Sequence, residues 1–278
     1  MEAGILLALP AKIPQKKPEM PDIRKNVCYT ELAPFRELFE SGLPVLVYHK
    51  TGPRPRGLKL KSIQMPEKVF QRQMKELAEA GFRTVLPDDW RASAQPGSRR
   101  FIITFDDGSR GVLRHAAPHL AAHGFQAIQY IVADHIGGRN QWDIDAGEAP
   151  DALMNADEIR EWLASGHQIG SHTLSHPRLT DIPLERAREE ITAGKKKLED
   201  LFGIPIRHFC YPYGNYNPAV RDLVGEAGYE TAVTLKPGVN TPDTPPLELR
   251  RIGARHATRN FRTFLLRFVG IRRSIQNS

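Results

Sequence analysis

A chain of 278 residues, 40% of them hydrophobic, can bury one large core, and barrels of this length form single domains. Its 39 Lys and Arg against 32 Asp and Glu give a formal net charge of +7, but the basic residues are spread out, with only brief clusters such as Lys195-Lys196-Lys197. That excludes the basic stripe with interleaved aromatics that nucleic acid requires, and leaves an anionic glycan or a membrane surface as compatible partners.

The apolar run Gly4 to Leu9 is too short for a spanning helix and lacks the basic flank of a secretory signal, so the expected location is cytoplasmic. Residues 10 to 26 hold four prolines and several lysines with no apolar period, the pattern of an extended lead-in. An N-terminal extension is therefore expected over 1–42, a catalytic barrel over 43–259 and a separate tail over 260–278.

Pro44 to His49 is a nearly continuous apolar run ending in a histidine, as in a strand buried on both faces of a parallel sheet. Thr51 to Leu60 is a loop rich in Gly, Pro and basic residues. Val69, Phe70, Met74 and Leu77 then mark a helix over Pro66 to Ala80, stopped by Gly81. Strands follow at Phe101 to Phe105, Ala127 to Val132, His167 to Ser171, His208 to Tyr211 and Thr231 to Leu235. Helices alternate with them at Val112 to His123, Ala156 to Ser165, Leu184 to Phe202 and Pro218 to Ala227. The repeated βα units predict an α/β fold, a parallel (β/α) barrel, regular or distorted, of about seven strands. In the tail, Phe261, Phe264, Leu265, Phe268 and Val269 share a face beside several arginines. Packing on the barrel and contact with an anionic membrane both suit such a helix.

Reactive groups of such barrels sit where strands end. That rule selects His49, Asp106 with Asp107, His172 with His176, and the Tyr211-Pro212-Tyr213-Gly214 turn. In Thr104-Phe105-Asp106-Asp107-Gly108, one carboxylate can ligate a cation while its neighbour serves as base, although Asp-Asp-Gly before a helix also suits an N-cap. Two histidines four apart, His172 and His176, can converge on one ion with a carboxylate, and that donor set suits Zn²⁺ first, with Co²⁺ or Mn²⁺ as alternatives. The two cysteines, Cys28 and Cys210, show neither metal-type spacing nor a disulfide framework.

Together the TFDDG, SHTLSH and YPYG stretches, with the VYH strand and Gly166-His-Gln-Ile-Gly170, resemble the polysaccharide deacetylase family (carbohydrate esterase family four) over about Pro44 to Ile252. The likeness leans towards its poly-N-acetylglucosamine deacetylase-like subgroup. The resemblance implies removal of N-acetyl groups from amino sugars of a polysaccharide, oligosaccharide or glycolipid. It makes Asp106 the general base, Asp107, His172 and His176 the metal ligands, and backbone near Tyr211 to Tyr213 the oxyanion holder. For the acid that protonates the leaving amine it offers His49, at the end of the first strand, over His256. Where many relatives carry an arginine that orients the base, this chain has Cys210, and Arg250 or Arg251 is the expected substitute, with Arg251 also a candidate for contact with substrate. Trp142 and Tyr213 are candidate sugar-stacking walls, with core packing as the plainer role for aromatics. A small-amide hydrolase of the same superfamily and an inactive glycan-binding barrel are the competing readings.

Overall fold

The computed structural model describes residues 28–59 and 63–255. Seven strands run parallel in chain order: β1 (Leu43–Tyr48), β2 (Arg100–Phe105), β3 (Ile128–Ile131), β4 (Gln168–Ser171), β5 (His208–Cys210), β6 (Thr231–Pro237) and β7 (Leu249–Gly253). β7 pairs back onto β1 (Leu46 opposite Ile252), which pairs in turn with β2 (Leu46 opposite Ile103), so the sheet closes. This is the expected α/β barrel. Helices α1 (Glu67–Glu79), α2 (Ala156–Ala164), α3 (Leu184–Phe202) and α4 (Pro218–Glu226) flank it.

Alternation along the strands sorts the apolar side chains into two layers. Val45, Ile102, Ile128, Tyr130, Cys210, Val233 and Leu249 form one cluster, with Leu43, Trp90 and Ala94. Leu46, Ile103, Phe105, Ile169, Phe209, Ala232 and Ile252 face the other way and pack with helical residues such as Phe70, Trp162 and Ile191. On β4 the place in the first layer falls to Gly170, where a Cβ would lie 2.6 Å from the Tyr130 ring.

Three expectations change. The boundary at residue 42 falls too late: Tyr29, Leu32, Phe35 and Phe39 are buried in the main core, and Tyr29 pairs with β7's continuation through Tyr29 N–H to Gly253 O (2.8 Å) and Arg255 N–H to Tyr29 O (2.9 Å). Their i, i+3, i+4 spacing carries the signal, but the adjacent proline-rich stretch masks it. Secondly, the helix expected over Val112 to His123 is two short ones, Arg110–His115 and Ala117–Ala121, because Pro118 has no N–H to continue the ladder. Thirdly, β7 has no counterpart among the strands read from sequence. The tail over 260–278, with its candidate membrane face, and His256 lie outside the described residues. Among the described residues no helix is long and apolar enough to cross a membrane, and no disulfide joins Cys28 to Cys210.

Candidate active site

Four strand ends meet over the barrel mouth. β1 delivers His49, β2 delivers Asp106 and Asp107, β4 delivers His172 and the loop to His176, and β5 leads into Tyr213. The turn after β2 needs Asp107 in the left-handed region (φ 75°), followed by Gly108 (φ 81°). With its amide oriented to suit its neighbours, buried Gln129 of β3 accepts from Gly108 N–H (2.9 Å) and Ser109 N–H (3.1 Å), pinning that turn. Ser109 then caps the next helix through Gly111 N–H.

Asp107 Oδ1, His172 Nε2 and His176 Nε2 form a triangle with sides of 3.2, 3.5 and 3.6 Å. Bonds of about 2.0–2.2 Å at tetrahedral angles set neighbouring donors roughly 3.4 Å apart, so the three atoms fit one face of a tetrahedral divalent ion. His172 Nδ1 lies 2.8 Å from the Cys210 carbonyl, which accepts its N–H and so turns Nε2 towards the other two donors. Burial and the neighbouring His172 push the His176 imidazole down to about 3, so the ring is neutral at neutral pH and has a lone pair to offer an ion. Burial pushes Asp107 up, but hydrogen bonding to His172 and the charges of His49 and His176 outweigh it, leaving the carboxyl well below its ordinary range. A second trio, Asp106, His172 and Cys210, is also close together, but there both Asp106 oxygens are already committed.

Arg251 commits them. Its Nη1 and Nη2 donate to Asp106 Oδ1 (2.7 Å) and Oδ2 (2.9 Å), and its remaining N–H groups go to Thr104 Oγ1, Thr234 O and Cys210 Sγ. Of the two arginines expected to stand in for the motif arginine, Arg251 occupies the place. The thiol of Cys210 leaves room beside Asp106 for a guanidinium arriving from β7. With all five N–H groups engaged and 2% exposure, Arg251 has no donor left for a substrate, which corrects that part of the expectation. Burial pushes Asp106 up, yet Arg251 and then His49 hold its carboxyl below the usual range. His49 Nε2 lies 3.8 Å from Asp106 Oδ2, with its side chain 25% exposed at the mouth.

Tyr211 requires a second correction. Its side chain is fully buried, its hydroxyl donates to Leu247 O (3.1 Å), and its amide donates to Val233 O (3.3 Å). It cannot reach a substrate. Pro212 has no N–H and Gly214 N–H donates to Tyr211 O (2.8 Å), so the amide left over in that turn is that of Tyr213, whose backbone is left-handed (φ 59°). Trp142 and Tyr213 stand at the site rather than in the core. The Trp142 ring stacks on His176 at 4.4 Å, the Tyr213 ring meets it edge-on at 4.7 Å, and Tyr213 is 39% exposed with Arg178 over its face.

Sequence reasoning missed Glu190. This fully buried carboxylate of α3 accepts from Leu174 N–H (3.1 Å), Ser175 N–H (2.8 Å), the Ser175 hydroxyl (2.6 Å) and Arg186 (2.8 Å), and so holds the loop between the two histidines. Gly194, one turn on, lets α3 approach that loop; a Cβ there would lie 2.8 Å from the Thr173 carbonyl carbon. The signal was a charge and a glycine inside the apolar stripe Ala187, Ile191, Leu198.

Comparison with known proteins assigns the family. The family model described as "Polysaccharide deacetylase" matches residues 93–232, half of the chain. YxkH of Bacillus subtilis (strain 168), whose name assigns it provisionally to polysaccharide deacetylation, is 25% identical over 87% of this chain and 82% of its own length. The chitooligosaccharide deacetylase of Azorhizobium caulinodans is 36% identical over 45% of this chain, which spans about half (53%) of that protein. Among solved structures, IcaB from Ammonifex degensii superimposes with a TM-score of 0.66 at 25% identity, covering 79% of this chain and 93% of that one. A matched family model, a shared barrel and a two-histidine, two-carboxylate cluster at its mouth together place this chain in the polysaccharide deacetylase family.

Proposed function

We propose that the cluster at the barrel mouth hydrolyses the acetamide of N-acetylglucosamine residues in a glycan, releasing acetate and a free amine. The observation that carries this reading is the triangle of Asp107, His172 and His176 donors beside a spare carboxylate clamped by Arg251. Asp107, His172 and His176 would hold a divalent ion, for which we propose zinc, with Co²⁺ or Mn²⁺ suited to the same donors; when bound, it would supply Lewis-acid polarisation of the carbonyl and a more acidic water.

The protein's own groups do the rest. Asp106, unprotonated and held at both oxygens, takes a proton from the water as it attacks the carbonyl carbon. The Tyr213 amide donates to the oxygen that gains charge. His49, across the mouth from the histidine pair, protonates the amine as the C–N bond breaks. Trp142 and Tyr213 wall the acetyl pocket and exclude water. The choice of amino sugar rests on the name of the chitooligosaccharide relative.

The test measures metal content and acetate release from N-acetylglucosamine oligomers for the parent, Asp106→Asn and His176→Ala. Asp106→Asn should keep its metal and lose turnover, whereas His176→Ala should lose both. Full metal content and undiminished acetate release in both variants would remove this mechanism. A cytoplasmic site of action, proposed from the sequence, is checked by fractionating cells that make the protein.

A further inference from the structure

The two histidines of the cluster are aimed by different means. His172 is fixed through its second ring nitrogen, whose N–H goes to the Cys210 carbonyl (2.8 Å). His176 has no such tether: its Nδ1 is buried and finds no hydrogen-bond partner among the described residues. A histidine that ligates a metal ordinarily donates its other N–H to a carboxylate, a carbonyl or water, and that bond sets the direction of the ring. At His176 the role falls to packing. Trp142 lies nearly parallel to its ring (26°, 4.4 Å between centroids), while Tyr213 and His172 meet it edge-on, each at 4.7 Å. Of the three, only the indole covers a face of the imidazole, so it does most to stop that ring from turning.

What holds Trp142 is polar. It sits in the short helix Gln141–Asp145, none of whose five residues is buried, so no core side chain anchors it. Asp143, the next residue, supplies the tie. Its Oδ2 accepts from Asn140 Nδ2 (3.0 Å) and faces Lys50 Nζ at 3.3 Å. Lys50 is 2% exposed and belongs to the barrel: it follows β1 and His49, and its own N–H bonds to Ile63 O (3.0 Å). The ion pair therefore joins positions 93 apart, the end of β1 and the segment after β3. A lysine this buried is kept only when paired, and the best-attested use of a buried pair is to fix register rather than to add stability.

We propose that Lys50 is a positioning residue for the metal site. Through Asp143 it fixes the Gln141–Asp145 helix so that Trp142 lies flat on His176 and keeps that histidine's Nε2 aimed at the Asp107 and His172 donors. The proposal rests on the metal-site part of the deacetylase reading and not on the reaction assigned to it.

The zinc affinity of the full chain, measured by competition with a chelating dye, tests it. Trp142→Ala and Lys50→Met should each weaken zinc binding by about tenfold or more. In the double variant Lys50→Met/Trp142→Ala the loss should equal that of Trp142→Ala alone, because a lysine that acts through the indole then has nothing left to position. Lys50→Arg, which keeps the charge, should restore most of the affinity. A lysine that only staples the loop would lower the thermal midpoint and leave zinc affinity at the parent's value; that result, or losses that multiply in the double variant, overturns the proposal. Should Lys50→Met fail to fold, Asp143→Asn breaks the same pair from its less buried side and carries the same expectations. The dye titration needs no substrate, so the two readings fail separately. If the double variant behaves as stated while the parent releases no acetate from N-acetylglucosamine oligomers, the deacetylase reading falls and the positioning role stands. Acetate release by the parent with equal zinc affinity in all variants does the reverse.

Discussion

The two ends of the barrel are built on opposite terms. At the lower end, where strands begin, Leu43, Trp90 and Ala94 share an apolar cluster, Asp88 ties His208, Gln168 and Arg207 together, and His167 stacks on Trp162 at 3.9 Å. At the upper end lie two buried carboxylates and two buried imidazoles. Four of the five non-glycine residues with positive φ among those described, Asp107, Thr173, His176 and Tyr213, are there too. Each such residue costs about 1–3 kcal/mol and persists only where its surroundings over-determine it. The lower end therefore stabilises the fold, and the upper end spends that stability on holding donors in place.

Substitutions can break or sharpen that contrast. The largest effect is expected at Asp106: Asp106→Asn should cut turnover by about 10²–10⁴-fold, measured as acetate release at saturating metal. Arg251→Met comes next. It leaves the Asp106 carboxylate buried without its partner, which should destabilise the fold by about 3–5 kcal/mol in denaturant titration. A loss below about 1 kcal/mol would mean that water or another cation reaches Asp106. A smaller change is expected from Glu190→Gln, which keeps shape but removes charge from the clamp on the Leu174-Ser175 loop. Metal affinity, by competition with a chelator, should fall about 10–100-fold with little change in thermal midpoint.

The smallest effect belongs to the lower end and is one of pH. Burial lowers His167 to about 4, and its Nδ1 accepts from Ala127 N–H (3.2 Å), so the folded state holds it neutral. Between pH 6.5 and about 4 the unfolded chain binds the extra proton, and stability falls as pH drops through that window. His167→Gln should remove about 2 kcal/mol of the stability difference between pH 7 and pH 5, without altering metal content. If metal content fell as well, the two ends would not be separable.

How much of this was legible in sequence follows the same contrast. Strands β1 to β6 carry short apolar runs and were read within a residue or two, because two-sided burial leaves little choice of side chain. Metal-type residues stood out at their ends. β7 did not, since Leu249-Arg250-Arg251-Ile252 holds two charges; Arg251 points inward only because Asp106 waits there, a pairing 145 positions away. The same distance explains why Cys210 looked like a loss. Tyr211 was misassigned because a motif gives position along the chain, whereas its ring turns under the sheet edge to stack on Tyr216. Glu190 was hidden by a helix whose apolar face looked sufficient.

The pairing of Tyr29 with Gly253 and Ala254 brings the first and last described stretches side by side. Such closeness makes the ring of strands indifferent to where the chain is opened. Joining those stretches by a short glycine-rich linker and cutting instead at the exposed Gln95-Pro96-Gly97 turn should yield a circular permutant that binds metal as the parent does. Because Gly253 lies level with Val47, that seam sits at the same end of the barrel as the mouth, so a domain grafted there would stand beside the site.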